Sequence, residues 1–113
     1  VVMDERGSVK TVQSQDGSSL LRFKIAHGKA NGAIGLGMGS RSIFKRAQKQ
    51  PFFIVSINGA ADGDLVPVPG GVLVRDKQGR LLGAVGITGD TSDNDEAAAV
   101  YAIERIGLVA DTG

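Results

Sequence analysis

The stretch from residue 69 to residue 108, PGGVLVRDKQGRLLGAVGITGDTSDNDEAAAVYAIERIGL, contains two apolar runs separated by a polar segment. The runs, residues 72–74 and 81–88, are rich in β-branched and small side chains, which suit strands. Residues 76–79, Asp-Lys-Gln-Gly, have the composition of a tight turn. This part of the chain is therefore predicted to form a β-hairpin.

A helix is predicted directly after the hairpin. Ser92 or Asp93 can cap it, because a short side-chain oxygen accepts the free N–H groups of a first helical turn. Glu96 follows Asp93 at the spacing of a capping-box partner, and Gly107 is a typical residue for the end of a helix.

Five further elements are predicted before this unit: strands at residues 1–4, 9–13 and 52–57, and helices at residues 20–34 and 42–50. The strand at 9–13 has few apolar residues and is expected at an edge of the sheet. Ser18 or Ser19 is expected to cap the first helix and Ser40 the second, which Pro51 ends. Residues 52–57 read as a strand buried on both faces. Strands interleaved with helices, with hairpins at both ends, favour an α+β fold.

Composition excludes several classes of protein. The 113 residues suit one domain, 1–113, and the chain has no cysteine for disulfides or thiolate metal ligands. Thirteen basic and twelve acidic residues give a net charge of +1, so nucleic-acid binding is not expected. No apolar run approaches the roughly 20 residues that span a bilayer, and no membrane partner is expected. We expect a cytoplasmic protein, although a removed secretion signal would leave no trace.

The order and spacing of several segments resemble the GlcG/HbpS-like family, the haem-degrading domain family that includes the C-terminal domain of PduO-type proteins. The matching segments are residues 1–7, 26–30, 69–71, 83–89 and the pair Asp95-Glu96. The resemblance implies a profilin-like fold, with a mixed, mostly antiparallel sheet of about five strands and helices on its faces. Members usually begin with a helix that this sequence lacks, so we expect an N-terminally truncated fragment. An uncovered sheet face and a weak edge strand favour a homo-oligomer.

The only histidine, His27, is a candidate ligand. It lies on a helical stripe that the sequence predicts to be apolar and buried, formed by Leu20, Phe23, His27, Ala30 and Ile34. A neutral imidazole in such a place can ligate haem iron, but it is more often a core or interface histidine that binds a backbone carbonyl. Lys29 nearby would be a reactive amine if it were buried, but its ammonium is expected to reach water.

A glycine-rich segment at residues 35–40 precedes several basic residues. A helix comes before it and no Gly-Lys-Ser/Thr follows, so a helix end is favoured over a nucleotide site. Arg41 and Arg46 could pair with a carboxylate or with the propionates of haem, or form a solvated basic face.

Two further motifs are candidate site residues. Pro69, Gly70 and Gly71 form either a sharp turn beside a pocket or a tight start to the hairpin. Asp95 and Glu96 lie at a helix start, where acidic residues are stabilising without any metal; the resemblance makes the pair characteristic of the family.

The sequence therefore predicts a small-ligand-binding accessory domain. The resemblance makes haem or a related tetrapyrrole the expected ligand, held in an apolar slot by His27 or a group near Pro69. Two alternatives remain open: an enzyme or enzyme partner in the metabolism of small hydroxy acids or diols, and a structural oligomerisation module. A Ser-His-Asp hydrolase is disfavoured because only His27 could supply the base.

Overall fold

The computed structural model describes all residues from 1 to 113 as a five-stranded sheet with four helices. The elements in chain order are β1 (Val2–Asp4), β2 (Val9–Thr11), α1 (Arg22–Leu36), α2 (Ser40–Lys49), α3 (Pro51–Ala60), β3 (Gly71–Arg75), β4 (Leu81–Gly86), α4 (Ser92–Arg105) and β5 (Val109–Asp111). The strand order is β2-β1-β4-β3-β5, and every pairing is antiparallel. The α+β prediction is confirmed, and β2 is an edge strand as expected.

The β3–β4 hairpin forms the centre of the sheet. The carboxylate of Asp76 accepts hydrogen bonds from the backbone N–H groups of Gln78 and Arg80 at 3.0 and 2.8 Å, which fixes the turn. Successive strand residues point to opposite faces, so Leu73 packs beneath α1 while Val72 and Val74 pack beneath α4. The sheet is thus sandwiched between α1 and α4.

The helical hairpin of α2 and α3 packs beside α1 around a third cluster, which contains Ile43, Ile54 and Leu65. Residues 52–57 therefore belong to a helix, and the predicted strand there is wrong. Pro51 begins α3 rather than only ending α2, because the first helical position needs no N–H donor. The fifth strand of the sheet is instead β5, which the sequence analysis missed.

The buried face of α1 also differs from the prediction. Leu20 is 97% exposed and Phe23 is 43% exposed, whereas the buried residues are mostly small: Ala26, Gly28, Lys29, Ala30, Gly32 and Ala33. Small residues are needed on this face because the backbone of α1 lies directly against the backbone of the sheet. A Cβ on Gly86 would overlap the Ala26 carbonyl.

None of the three predicted side-chain caps forms as expected. No side chain caps α1, which begins after Leu21. Gly39 precedes α2, so Ser40 lies inside its first turn. Thr91 caps α4, and its hydroxyl accepts a hydrogen bond from the Asn94 N–H at 3.2 Å. No helix of this fold is long and apolar enough to cross a membrane.

Candidate functional site

The family-type motifs meet at a buried ion pair between α1 and α4. The Lys29 ammonium donates to Asp95 Oδ2 at 3.0 Å and to the Ile87 carbonyl at 2.9 Å. Lys29 is only 2% exposed and Asp95 only 3%, so the expectation that this ammonium reaches water is wrong. Asp95 Oδ1 accepts a hydrogen bond from the Asp90 N–H at 3.0 Å. The pair therefore connects the middle of α1, the end of β4 and the beginning of α4.

Gly70 and Gly71 make room for this lysine. Gly70 has a φ of 119°, and a Cβ there would lie 2.8 Å from Lys29 Nζ. A Cβ on Gly71 would overlap the Lys29 carbonyl. The Gly71 N–H donates to Ser40 Oγ at 2.7 Å, in a bond that is fully buried. In this structure the two glycines accommodate α1, and the Gly71 N–H is not free for a ligand.

Arg41 lies next to this pair and bridges α2 to α4. Its guanidinium donates to the Glu96 carboxylate at 2.9 and 3.1 Å and also to Asp93. These hydrogen bonds, first the one to Asp93 and then the one to Glu96, raise the pKa of Arg41 above its usual value. Glu96 is thus a partner of Arg41 and not part of a capping box.

An open cleft of about 240 Å³ lies above Arg41 and Pro69. Its other lining residues are Phe44, Val68, Thr91, Ser92 and Asp93. The cleft is polar on the α4 side and apolar on the side of residues 68–69. Because two carboxylates already bind Arg41, an anionic ligand in this cleft would have to compete with them.

His27 lies outside this cleft, on the outward side of α1. Its Nδ1 lies 2.7 Å from Asp64 Oδ2, and its side chain is 24% exposed. The segment that carries Asp64 is held against α1 by two bonds: Asn31 Nδ2 donates to the Asp64 carbonyl at 2.9 Å, and the Val66 N–H donates to the Gly28 carbonyl at 3.2 Å. The carboxylate is therefore positioned behind the imidazole by the fold.

An exposed aromatic side chain lies beside this imidazole, and a lysine precedes it on the same helix. The Phe23 ring lies 5.6 Å from the His27 ring, centroid to centroid, at an angle of 58°. Lys24 is exposed and makes no ion pair with any carboxylate of the chain. We call the surface formed by Phe23, Lys24 and His27 on the first turns of α1 the His27 platform.

Comparison with known proteins identifies the family. Residues 1–104 match the family model described as haem degrading protein, HbpS-like. The chain belongs to the HbpS-like family. No curated protein has a significantly similar sequence.

Two solved structures share the fold of this HbpS-like chain. A PduOC–haem complex superposes with a TM-score of 0.83 at 22% identity, over 95% of this chain and 76% of the other. The Klebsiella pneumoniae protein ORFY, of the DUF336 family, superposes with a TM-score of 0.79 at 25% identity, over 91% of this chain and 70% of the other.

The candidate residues of this HbpS-like chain fall into separate groups. Lys29, Gly70, Gly71 and Asp95 form the buried junction, and Arg41, Pro69 and Glu96 adjoin it; His27 lies apart on its platform. Arg46 belongs to neither group: its guanidinium lies 4.0 Å from the centroid of the Phe53 ring and donates to Gln50 at 3.1 Å.

Sequence reasoning missed two long-range contacts of the candidate sites. These are the contact of Ser40 with Gly71 and the contact of Asp64 with His27. Asp64 is 37 positions from His27 and Ser40 is 31 positions from Gly71. Contacts of this kind depend on how the segments pack and leave no local pattern.

Proposed function

We propose that this chain is a small-ligand-binding accessory domain that binds haem or a related tetrapyrrole, with His27 as the iron ligand. Membership of the HbpS-like haem-degrading family supports this ligand class, as does the haem complex of the structural neighbour PduOC. The observation in this chain that carries the proposal is the Asp64 carboxylate 2.7 Å from His27 Nδ1.

A carboxylate at one ring nitrogen prepares the other nitrogen for a metal. Histidines that ligate metals usually donate their second N–H to a carboxylate or carbonyl, which fixes the tautomer and raises the basicity of the ligating atom. In a neutral imidazole, a carboxylate beside Nδ1, as Asp64 is here, favours the tautomer with the proton on Nδ1. In that tautomer His27 would offer the Nε2 lone pair to the iron, and the Phe23 ring lies 5.6 Å from the imidazole, centroid to centroid.

The residues around His27 also fit the chemistry of haem. Phe23 is an exposed aromatic group against which a flat macrocycle can lie, and Lys24, three positions before His27 on α1, is a free cation for a propionate. When bound, haem would supply iron-based redox chemistry. The chain's residues would hold the ring, orient the imidazole and neutralise the propionate. The Arg41 cleft fits less well, because its roughly 240 Å³ is below the usual 300–1,000 Å³ of ligand pockets.

The Arg41 cleft supports a second candidate function, binding of a small hydroxy acid or diol. Its volume suits a metabolite of a few carbon atoms, and the hydroxyl groups of Thr91 and Ser92 line it. A metabolite that raises the melting temperature of the wild-type chain, and no longer does so after Ser92→Ala, would favour this candidate.

Haem titration followed by visible absorption tests the first proposal. The wild-type chain is compared with His27→Ala, Asp64→Asn and, as a matched surface control, Phe52→Ala, which removes a 73% exposed aromatic on α3. We expect saturable binding by the wild type and the control, loss of the iron–imidazole band in His27→Ala, and about 10- to 100-fold weaker binding in Asp64→Asn.

The possible outcomes show separately whether the chain binds haem and whether His27 is the iron ligand. If binding is saturable and the visible absorption band is the same in His27→Ala as in the wild type, haem remains the proposed ligand and His27 is excluded as the residue that binds its iron. The absence of any saturable band in the folded wild-type chain would reject the tetrapyrrole proposal.

A further inference from the structure

The outer side of α3 faces solvent although it carries no charge. None of the residues of this helix, Pro51–Ala60, is charged. Phe52 is 73% exposed and Val55 is 72% exposed. Ser56 and Gly59 are exposed as well and continue the same stripe at helical spacing. A surface helix normally presents charged or polar side chains to water. We call the stripe of Phe52, Val55, Ser56 and Gly59 the α3 face.

The two small residues of the α3 face suit contact with an apolar partner. Glycine destabilises a helix relative to alanine. Gly59 has no left-handed φ, and a Cβ there would meet nothing within 4 Å, so the chain's own packing does not require glycine. A large side chain of a partner lying against the helix would require it. The Ser56 hydroxyl donates to the Phe52 carbonyl at 3.0 Å, so its hydrogen bond would survive the removal of water.

Both ends of α3 lack the charges that a helix dipole attracts. Its first turn has no acidic residue and its last turn has no basic residue. Lys49 lies two positions before the helix and Asp62 two positions after it. Both are exposed, and neither forms an ion pair within the chain. Each charge therefore lies at the end of α3 that has the same sign.

We infer that two copies of this chain pack their α3 faces together in antiparallel orientation, about a two-fold axis that passes between Val55 and Ser56. Two-fold symmetry is the commonest in protein dimers. Residues equally far from the axis on its two sides then lie opposite each other. Phe52 lies opposite the partner's Gly59, where its ring finds room against the backbone, and Val55 lies opposite the partner's Ser56. This contact needs no ligand.

The same axis brings the unpaired charges together. Lys49 lies opposite the partner's Asp62, so one ion pair forms at each end of the helix pair. Each carboxylate then lies at the N-terminus of the other copy's α3 and each ammonium at its C-terminus, where the dipole favours them. Parallel copies would instead place like charges side by side. Charge complementarity thus identifies an antiparallel second copy as the occupant of the α3 face.

Sedimentation velocity without haem tests the association. Ten helical residues extend only about 15 Å, so the interface is small and we expect a Kd in the range of about 1–100 μM. Phe52→Ala should weaken the dimer roughly 10-fold or more. The matched control Tyr101→Ala removes a 69% exposed aromatic on α4 and should leave the dimer unchanged.

Disulfide trapping tests the register, because the chain has no cysteine of its own. Ser56→Cys places a thiol beside the axis, so mild oxidation should link two chains covalently. The control Ala60→Cys lies on the same exposed helix, but about 14 Å along the helix from its counterpart, and should form a disulfide at least about 10-fold more slowly. Equally fast linkage in both variants would overturn the antiparallel register.

Charge variants test the ion pairs at the ends. Lys49→Glu should weaken the dimer, because it places a second carboxylate opposite Asp62. Adding Asp62→Asn should recover part of that loss, since the repulsion disappears while asparagine tolerates the φ of 55° at this position. A double variant no tighter than Lys49→Glu alone would overturn the proposed pairing.

Other outcomes would assign the α3 face differently. Equal effects of Phe52→Ala and Tyr101→Ala on a dimer would place the contact elsewhere and overturn the inference. A wild-type chain that stays monomeric at about 300 μM would also overturn it. If that monomer sedimented with vesicles of phosphatidylserine and phosphatidylcholine, and Phe52→Ala did not, the face would belong to a lipid surface. None of these measurements contains haem, so their outcome is independent of the proposed function.

Discussion

Lys29 is a charged residue in a place where charges are costly. Removing an ammonium and a carboxylate from water costs several kcal/mol each, and only close geometry and additional hydrogen bonds offset that cost. Both conditions hold here: Lys29 Nζ has two acceptors within 3.0 Å, and each oxygen of Asp95 has a donor. The pair therefore fixes which segments of the chain meet at the junction.

Replacing Lys29 by Met should destabilise the protein strongly, because it leaves Asp95 buried without its cation. We expect a loss of about 3–5 kcal/mol in the free energy of unfolding, measured by urea denaturation. The double variant Lys29→Met with Asp95→Asn should recover part of this loss, since it removes the unpaired charge.

The exposed pair of Lys10 and Asp4 provides the control for this prediction. Lys10 is 63% exposed, and Lys10→Met should leave the unfolding transition almost unchanged. Similar effects of the two Lys→Met changes would contradict the view that burial makes the Lys29 pair critical.

At the scale of secondary structure, the sequence predicted elements well where local signals were strong. The central hairpin has two apolar runs, a polar turn and a following helix, and the structure confirms each of these. Only the groups predicted to cap the helix differ. The prediction of a strand at residues 52–57 was wrong because a short apolar run suits a buried strand and a helix equally. The helical choice depends on packing: Phe53, Ile54 and Ile57 join the cluster of Ile43 and Leu65, while Phe52 and Val55 stay exposed.

The candidate site was less predictable because it too depends on how the elements pack. Large apolar residues of α1 were expected to face the core, yet the close approach of the sheet and of residues 65–71 selects glycine and alanine for that face. The resulting rotation of the helix places His27 and Phe23 outside. Hydrophobic periodicity alone cannot reveal how near a neighbouring backbone will lie.

Glycines along α1 allow a matched test of this close packing. A Cβ on Gly28 would lie 2.7 Å from Val66 Cγ2 and 3.3 Å from the Val66 backbone nitrogen, whereas a Cβ on Gly35 would meet nothing within 4 Å. Gly28→Ala should therefore lower the free energy of unfolding by about 1–3 kcal/mol. Gly35→Ala should raise it by about 0.5–1 kcal/mol, because alanine favours helix.

Thermal and urea unfolding of the two alanine variants provide the measurement. The informative result is that the free energy of unfolding changes in opposite directions in the two variants, since both substitutions add the same methyl group to the same helix. A gain of stability in both variants would show that α1 does not need glycine to approach residues 65–66.

At the scale of the whole molecule, charge is segregated along the chain. Residues 17–61 contain seven lysines and arginines and no acidic residue, so all twelve acids lie in the remaining segments. Each ion pair that the lysines and arginines of this basic segment make crosses to residues 62–113: Lys29 to Asp95, and Arg41 to Asp93 and Glu96. The imidazole of His27 likewise contacts Asp64. A net charge of +1 conceals this division.

These crossing pairs bear on how the chain reaches its fold. Two segments of opposite charge attract each other before any contact forms, so the acidic C-terminal part should be steered toward the helical part during collapse. The range of that attraction shrinks from about 30 Å at 0.01 M salt to about 3 Å at 1 M. Refolding measured by stopped flow should therefore slow as salt is added, and a rate independent of salt would show that the ion pairs form only after the segments have met.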